Sequence, residues 1–515
     1  MRKAVKMQII QLLMTLKEAH KEIILYLSKK QYDLVSNILA DCQECAVTVG
    51  NIIEQFEADQ EVIIKQLEEY CEKLFIMNNE METAGKDSNL NRKKELDKYI
   101  DNVLGDVKSK IKVILKVAFF PYKASMWTSL ESIWKTAEAD EECEAAVVVI
   151  PYFELDSQGN KTKLIYEGNL FPKDVPIVNF NEYNVAVEQP DMIFIHNPYD
   201  NMNNVTRVPE QYYSYNLKKY TEQLIYSPYG MMGYYNPKQG AFMCCTNGVI
   251  VSDKVLVQSE RVKQIYIDHN VDKKKLMALG SPKVDAIVTG LKKPCIYPEG
   301  WEEKLRGRKV FLLNTHLSYF ARWQIYVEEH PGKSNYAKWY HEQIWELLLN
   351  RDGCALIWRP HPLMKAMLES RGFYETLEFI DKLEQEVKES ENAVLDLNGD
   401  YEISFRISDA LITTYSSMIS EYMISGKPIY IYQRRLNAEN RKNSPVDYTN
   451  NYYMAVGGEE PKLPKFIQMV LDGEDPLYEE RMKDVNNSFS NLQGTIGENI
   501  YKELKREILQ FNVKK

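Results

Sequence analysis

The stretch from Ser408 to Tyr432 has the sequence SDALITTYSSMISEYMISGKPIYIY. A short apolar run is followed by small hydroxyl residues, then by a helical pattern that Gly426 and Pro428 close, and then by a second β-rich run. This order predicts a unit of strand, turn, helix and strand. The unit places hydroxyl residues at a helix N-terminus, where free backbone N–H groups and the helix dipole favour a phosphate. An ordinary capped helix between two buried strands explains the stretch equally well.

The composition is that of a globular protein with two or three domains. The chain has 515 residues, of which 44% are hydrophobic, and a formal net charge of -10. This charge argues against a general nucleic-acid binder, because a phosphate backbone needs a basic face. No apolar run approaches the roughly 18 to 20 residues of a membrane span, and the first residues do not form a signal peptide, so we expect a cytoplasmic protein.

The eight cysteines are scattered, apart from one C-x-x-C pair at Cys42 and Cys45, and predict reduced thiols. That pair lies in a helical pattern without a second pair or clustered histidines, so we expect no zinc site there. The sequence has no other metal-spaced cluster either. We therefore predict neither a metal nor a cofactor.

Hydrophobic periodicity divides the chain into three predicted domains. Residues 1–110 have helical spacing and predict a helical hairpin or small bundle, with a linker at Asn78 to Asn91. Residues 111–295 and 296–515 each alternate strands with helices, which predicts a parallel, doubly wound sheet in each. We expect an α/β protein with two Rossmann-like domains facing a cleft, and helices after Lys462 that pack over the pair. The predicted strands are 113–120, 145–150, 192–195, 223–226, 254–258 and 276–279 in the first sheet, and 310–314, 355–358, 393–397, 410–412 and 428–432 in the second.

Polar residues follow several predicted strands of the second domain, at the carboxyl ends where such sheets bind ligands. Arg359-Pro360-His361-Pro362 follows the strand that ends at Trp358. Arginine offers a permanent charge, and histidine can donate to a pyrophosphate or protonate a leaving oxygen. With Ser416 and Ser417 this tetrapeptide predicts a phosphate-holding edge, to which Asn314-Thr315-His316 adds a third element. A structural turn would explain the two prolines equally well.

Three further elements lie at predicted strand ends of the first domain. His196 ends one strand, Ser227-Pro228-Tyr229-Gly230 ends another, and Leu279-Gly280-Ser281-Pro282-Lys283-Val284-Asp285 forms a turn near the crossover. A histidine at the mouth of a strand is a candidate site residue. The last turn is also explained by glycine and proline alone.

These motifs together resemble the CDP-glycerol:polyglycerophosphate glycerophosphotransferase family, the teichoic-acid polymerases and primases of GT-B fold. The resemblance rests on Leu279 to Asp285, on Arg359 to Pro362, which is similar to the family's proline-histidine-proline element, and on Ser408 to Tyr432. It covers roughly Lys112 to Tyr432. By resemblance, His361, Ser416 and Ser417 hold the pyrophosphate of a CDP-linked donor, and Glu421 lies near its ribose or cytosine. The donor-binding set that we predict is Arg359, His361, Thr414, Ser416, Ser417 and Glu421.

The sequence departs from the family pattern at two places. The family's Asp-Tyr-Ser-Ser is Thr414-Tyr415-Ser416-Ser417 here, and Pro228-Tyr229-Gly230 replaces the Trp-His-Gly element that carries the family's catalytic base. A tyrosine with an ordinary pKa of about 10 is a poor base at neutral pH. We predict His196 as the base instead, with His316 next and His361 as the third catalytic histidine.

The predicted activity is transfer of a glycerol phosphate, or a similar polyol phosphate, from a CDP-linked donor to a hydroxyl of a polymer or lipid-linked glycan acceptor, with release of CMP. Such acceptors belong to cell-wall teichoic acid or capsule, so the expected location is the cytoplasm, including peripheral contact with the inner face of the membrane. Two alternatives stay open. One is a sugar-nucleotide glycosyltransferase or epimerase of the same fold; the other is a degraded scaffold that works through its N-terminal helices.

Overall fold

The computed structural model describes residues 1–515 except 58–59, 81–85, 157, 234–236, 318, 332–335, 399–400, 415, 433–452, 455–462 and 511–515. The chain divides into two compact units. One consists of Met1–Val117, Glu138–Ala145 and Lys505–Lys515, and the other of Ala118–Ala137 and Ala146–Leu504. The predicted boundary between two α/β domains near residue 295 does not coincide with this division and stays a prediction.

The first unit contains four long helices. Each buries an apolar stripe at helical spacing, as Ile9, Leu13, Leu16 and Ile23 of the first helix do. The helices are α1 (Lys3–Ser28), α2 (Tyr32–Phe56), α3 (Glu61–Glu80) and α4 (Lys86–Lys110).

The predicted linker at 78–91 is wrong where the structure describes it, because α3 continues to Glu80 and α4 already begins at Lys86. Asn, Glu, Lys and Asp are as compatible with the exposed face of a helix as with a loop. Composition alone therefore could not separate the two.

A polar network lies inside the helical unit. His20 of α1 is fully buried, and its two ring nitrogens lie 2.8 Å from Asp97 Oδ1 of α4 and 2.7 Å from the Tyr70 hydroxyl of α3. Lys93 pairs with the other oxygen of Asp97. Burial lowers the pKa of His20, and Asp97 opposes that shift.

Sixteen strands are described, and all but the first two lie wholly in the second unit. They are β1 (Leu115–Phe120), β2 (Cys143–Val149), β3 (Tyr152–Leu155), β4 (Lys161–Ile165), β5 (Ile177–Asn179), β6 (Met192–Ile195), β7 (Thr206–Arg207), β8 (Gln223–Tyr226), β9 (Lys254–Leu256), β10 (Leu276–Met277), β11 (Lys309–Thr315), β12 (Cys354–Pro360), β13 (Ala393–Leu395), β14 (Ala410–Thr413), β15 (Ile429–Ile431) and β16 (Tyr453–Met454).

The helices that follow these strands are mostly short. They are α5 (Glu131–Glu138), α6 (Val185–Glu188), α7 (Ser214–Leu217), α8 (Pro237–Cys244), α9 (Asn247–Val251), α10 (Glu260–Asp268), α11 (Pro282–Lys292), α12 (Trp301–Leu305), α13 (Tyr319–Glu329), α14 (Tyr336–Leu349), α15 (Met364–Ser370), α16 (Tyr374–Glu389), α17 (Glu402–Ile407), α18 (Met418–Tyr422), α19 (Leu463–Leu471), α20 (Tyr478–Ser488) and α21 (Ile496–Ile508). Among the described residues, none of the helices is both long and apolar enough to cross a membrane.

Two large sheets follow the same topological rule. The first has the order β10-β9-β8-β6-β1-β2-β5, and the second has the order β13-β12-β11-β14-β15-β16. In each sheet the strand that comes first in the sequence lies in the middle. The next two strands of the sequence are added on one side of it, and the remaining strands are added on the other side. This is the doubly wound Rossmann pattern, and its switch points lie between β1 and β6 and between β11 and β14. The prediction of parallel, doubly wound sheets is confirmed, since all five pairs of the second sheet are parallel.

A third sheet was not predicted. Strands β4, β3 and β7 form a small antiparallel sheet beside the first large one. Its strands are short, and β7 has only two residues. Such segments carry too little alternation to be recognised in a single sequence.

Candidate active site at the second switch point

Asn314 joins the ends of three strands at the switch point of the second sheet. Its side-chain oxygen accepts hydrogen bonds from the hydroxyls of Thr413 and Ser416, both at 3.0 Å, and its amide nitrogen donates to the carbonyl of Arg359 at 3.1 Å. Thr413 ends β14, and Asn314 and Arg359 are the last residues but one of β11 and β12. This side chain therefore fixes Ser416 at the edge where a doubly wound sheet binds its ligand.

Two histidines lie beside this hub. The rings of His316 and His361 are 6.2 Å apart, and the backbone N–H of His361 donates to the carbonyl of Thr315 at 3.0 Å. His361 Nδ1 accepts a hydrogen bond from the backbone N–H of Leu363 at 3.2 Å. A neutral ring thus carries its proton on Nε2, and partial burial lowers the pKa of His361 and favours that neutral form.

The stretch that begins at Ser408 folds as predicted, into β14, a turn, α18 and β15, with Gly426 in the left-handed conformation at a φ of 73°. Helix α18 is only five residues long, so it offers a small dipole. Ser416 is half-buried, Ser417 is exposed, and Tyr415 lies outside the described residues. The Thr414 hydroxyl is buried and has no hydrogen-bond partner among the residues described. A buried hydroxyl without a partner is unfavourable, and a ligand oxygen would satisfy it.

Arg359 is held by the protein itself. Its guanidinium donates to Asp396 Oδ2 at 2.7 Å and to the carbonyl of Asn398 at 2.8 Å, and it lies 5.9 Å from the centre of the Tyr401 ring. The side chain is buried, and Asp396 already balances its charge. Arg359 therefore links β12 to the loop after β13. This structural role is better supported than the predicted one, in which the charge of Arg359 binds the pyrophosphate.

Glu421 is paired with a lysine in the first turn of α11. Lys283 Nζ lies 2.5 Å from Glu421 Oε1, and the side chains are 13% and 7% exposed. Lys283 also lies 5.5 Å from the centre of the Tyr401 ring. The second oxygen of Glu421 has no hydrogen-bond partner in the part of the chain that is described, so it can still accept from a ligand.

The segment from Leu279 to Asp285 contacts two helices that lie far away in the sequence, α21 and α18. Gly280 has a φ of 117° and packs against Ile496, while the two oxygens of Asp285 accept from the backbone N–H groups of Ile496 and Gly497 at 3.0 and 2.8 Å. Asp285 thus caps α21, and Lys283 reaches α18 from the same turn. Of the helices after Lys462, α19 buries Leu463, Phe466 and Ile467 in the core of the second sheet, and the expectation that this tail covers both domains stays a prediction.

The predicted base of the first domain is buried. His196 is 0% exposed, its Nε2 accepts from the backbone N–H of Tyr122 at 3.1 Å, and its Nδ1 lies 3.2 Å from the Ser129 hydroxyl. Burial lowers the pKa of His196 to about 3. With both ring nitrogens engaged and no solvent access, His196 is placed to position Tyr122 rather than to take a proton from an acceptor. Its assignment as the base stays a prediction that this geometry does not favour.

Tyr229 does not replace the missing histidine as a base. Its hydroxyl lies 3.3 Å from that of Tyr199, and burial raises the pKa of Tyr229 above its ordinary value. The phenol is therefore a neutral hydrogen-bond donor and acceptor.

The structure thus brings together His316, His361, Thr414, Ser416 and Ser417 at one edge, with Arg359 and Glu421 in buried ion pairs close by. His196 belongs to the other sheet. Sequence reasoning missed Asp396 and Tyr401. The predicted strand 393–397 contained Asp396, whereas β13 ends at Leu395, so that Asp396 lies at the carboxyl end of the strand, where such sheets bind ligands. No group of three or more His, Cys, Asp or Glu side chains that could hold a metal ion occurs among the described residues.

Comparison with known proteins gives solved structures of similar fold and one matching family. No curated protein sequence matches the chain. Among solved structures, a UDP-N-acetylglucosamine 2-epimerase from Listeria monocytogenes aligns with a TM-score of 0.50 and 13% identity, over 77% of this chain and 97% of that one. This likeness shows the GT-B-type fold. The wall teichoic acid polymerase TagF aligns with a TM-score of 0.47 and 15% identity, over 88% of this chain and 99% of the other.

The model of one protein family, described as CDP-glycerol:poly(glycerophosphate) glycerophosphotransferase, matches residues 244–505, about half of the chain. This range contains the switch point of the second sheet, the Arg359 to Pro362 element and the segment from Leu279 to Asp285. The chain is therefore a transferase enzyme that belongs to the CDP-glycerol:poly(glycerophosphate) glycerophosphotransferase family.

Proposed function

We propose that the second switch point binds the pyrophosphate of a CDP-linked polyol and that the enzyme transfers the polyol phosphate to a hydroxyl of a polymer. One observation carries this proposal: Asn314, Thr413 and Ser416 meet at the carboxyl ends of the neighbouring strands β11 and β14, with His316 and His361 beside them. In this assignment residues 296–515 form the donor domain and residues 111–295 the acceptor domain.

The chemistry requires one proton transfer and one displacement at phosphorus. An acceptor hydroxyl attacks the phosphorus distal to the cytidine, a new P–O bond forms, and the bond to the CMP oxygen breaks. The acceptor proton goes to a base, and CMP leaves as the anion. Hydrogen-bond donors that face the pyrophosphate stabilise the charge that develops there.

The described residues suggest a division of roles. His361 offers Nε2–H to a phosphate oxygen, since its Nδ1 is occupied by Leu363. The hydroxyls of Thr414 and Ser417 and the backbone of this segment complete the contacts to the CDP-linked donor, while the Ser416 hydroxyl donates to Asn314 and fixes the turn. We assign the base to His316, because imidazole is the usual general base in enzymes and His196 is occluded. Glu421 accepts from the nucleoside through its second oxygen.

The acceptor in this proposal is a polymer or lipid-linked glycan of the cell wall or capsule. A lipid-linked acceptor lies at a membrane surface, so the enzyme would reach it by peripheral contact from the cytoplasm. Co-sedimentation with vesicles that carry such an acceptor tests this point, and absence of the protein from the pellet would argue for a soluble acceptor.

The test of the reaction is release of CMP from a panel of CDP-polyols, with UDP- and GDP-sugars as the comparison. We expect turnover with CDP-glycerol or a near relative only. The variants His361→Asn and His316→Asn should each lower kcat by roughly 10²- to 10⁴-fold. His330→Asn, an exposed histidine on the same domain, serves as the matched control. CMP release that survives both site variants would refute the assigned roles, and turnover of UDP-sugars alone would favour the epimerase or glycosyltransferase alternative.

A further inference from the structure

Lys123 stands at the switch point of the first sheet. It follows β1 directly after Pro121 and Tyr122, and β1 and β6 are the two strands between which that sheet reverses its order. Ligands of doubly wound sheets bind at this place, off the carboxyl ends of the strands. The side chain is half-buried, unlike most lysines of the surface.

Two tyrosine rings hold the ammonium group of Lys123. Its Nζ lies 4.8 Å from the ring centre of Tyr152 and 5.7 Å from that of Tyr122, and these rings are edge to face, 5.5 Å apart. Among the described residues Lys123 has no ion pair and no hydrogen-bond acceptor for Nζ. A cation–π contact uses the ring faces and leaves the three N–H donors of an ammonium group available.

The two carboxylates near Lys123 do not accept hydrogen bonds from its ammonium group. Glu167 accepts from the Tyr152 hydroxyl at 2.7 Å through one oxygen and from the backbone N–H of Ala124 at 2.8 Å through the other. Glu154 is exposed and lies further out on β3. Burial lowers the pKa of Lys123, and these two carboxylates oppose the shift. The ammonium group of Lys123 is thus partly desolvated. An anion would therefore stabilise its charge more strongly than it would stabilise the charge of a fully hydrated lysine.

Neutral hydroxyl donors lie at the same edge of the sheet. The Tyr199 and Tyr229 hydroxyls are 3.3 Å apart, and the ring of His196 packs between Tyr122 at 5.2 Å and Tyr229 at 6.4 Å. The buried imidazole therefore ties the Lys123 segment to Tyr229. One cation with several hydroxyls suits an anionic ligand that also carries hydroxyl groups.

We propose that Lys123, in its cage of Tyr122 and Tyr152 beside the Tyr199–Tyr229 hydroxyl pair, binds a phosphodiester group of the acceptor polymer. This inference rests on the proposed function, since it names the chemistry that the acceptor domain recognises. Lys123 holds the chain by a phosphate, and the terminal hydroxyl of the chain is the group that reacts.

A binding measurement tests the proposal without turnover. A synthetic glycerol phosphate trimer is titrated into the full chain by calorimetry, for the wild type and for Lys123→Met, Lys123→Arg and Lys161→Met. Methionine packs against aromatic rings and should keep the fold, which thermal unfolding verifies. Lys161 is the matched control, because it lies on the exposed strand β4 and its Nζ is likewise close to an aromatic ring, 4.7 Å from the centre of the Phe153 ring.

We expect Lys123→Met to weaken trimer binding by roughly 10- to 100-fold, as for the loss of one charge-assisted hydrogen bond. Lys123→Arg should retain most of it, and Lys161→Met all of it. In steady-state kinetics Lys123→Met should raise the KM for the trimer but not that for the CDP-linked donor.

Three results would overturn the proposal: equal trimer binding by wild type and Lys123→Met, an equal loss in Lys161→Met, or a rise in the donor KM alone. Vesicles of phosphatidylglycerol identify the source of the phosphate, because loss of vesicle binding with intact trimer binding would contradict the polymer assignment. Failure of the proposed function would appear differently, as trimer binding without CMP release.

Discussion

Removal of Lys283 tests whether the buried ion pair with Glu421 holds the donor domain together. In Lys283→Met, the Glu421 carboxylate stays in a site that is 7% exposed and loses the ammonium group 2.5 Å away. Loss of one partner of a buried pair costs about 3–5 kcal/mol, because it leaves a charge without compensation. A domain has about 5–15 kcal/mol of total stability, so the variant should be marginal.

The double variant Lys283→Met/Glu421→Leu separates the charge from the packing. Replacement of both partners by apolar side chains of similar volume is often neutral. We expect the double variant to recover most of the loss, which an additive pair of substitutions would not do. Lys292→Met, at an exposed position of the same helix, should leave stability unchanged.

The assay is chemical denaturation followed by circular dichroism and tryptophan fluorescence. Coincidence of the two signals shows whether one transition describes the whole chain. A loss below about 1 kcal/mol in Lys283→Met, or a double variant less stable than the single one, would refute the reasoning from burial.

Three further predictions concern buried polar groups. His341→Leu should raise stability by about 1–3 kcal/mol in thermal unfolding, since both ring nitrogens of this buried histidine have no partner among the described residues; a loss of stability would contradict this. Acid should destabilise the protein: burial lowers the pKa of His196 and His341 to about 3 in the folded state, whereas the unfolded value is about 6.5, so the unfolded chain binds more protons and stability falls as the pH drops from about 6.5 toward about 3. A pH series of melting temperatures measures this, and the slope should be smaller in His341→Leu. Asn314→Ala should raise the KM for the CDP-linked donor about tenfold, the loss of about one hydrogen bond, because Ser416 loses its anchor; an unchanged KM would exclude Asn314 as the positioning residue.

The sequence was sufficient for the regular part of the fold. The strands from Met192 to Ile195 and from Gln223 to Tyr226 were predicted to the residue, and most others within two or three residues. Buried parallel strands appear as short apolar runs, so their positions follow from local pattern. The two-residue strand β7 and the helices around 78–91 lack such a pattern and were missed.

The candidate site was only partly predictable. Strand ends of one parallel sheet necessarily meet at one edge, so the grouping of His316, His361 and Ser416 followed from the strand assignments alone. Side-chain partners did not follow, because they depend on contacts between residues far apart in sequence. The pairing of Arg359 with Asp396, that of Glu421 with Lys283 and the burial of His196 are all of this kind.

The His20 network gives the helical unit a fixed alignment. Apolar stripes alone tolerate a shift of one helix along another, because the leucine and isoleucine side chains of one turn can then occupy the places of those of the next turn. His20 meets Asp97 on one helix and Tyr70 on another, and a slip of either helix would leave a buried imidazole without its hydrogen bonds. His20 thus fixes the position of α1 along both α3 and α4. With leucine in its place the four helices would gain hydrophobic contact and lose this unique arrangement.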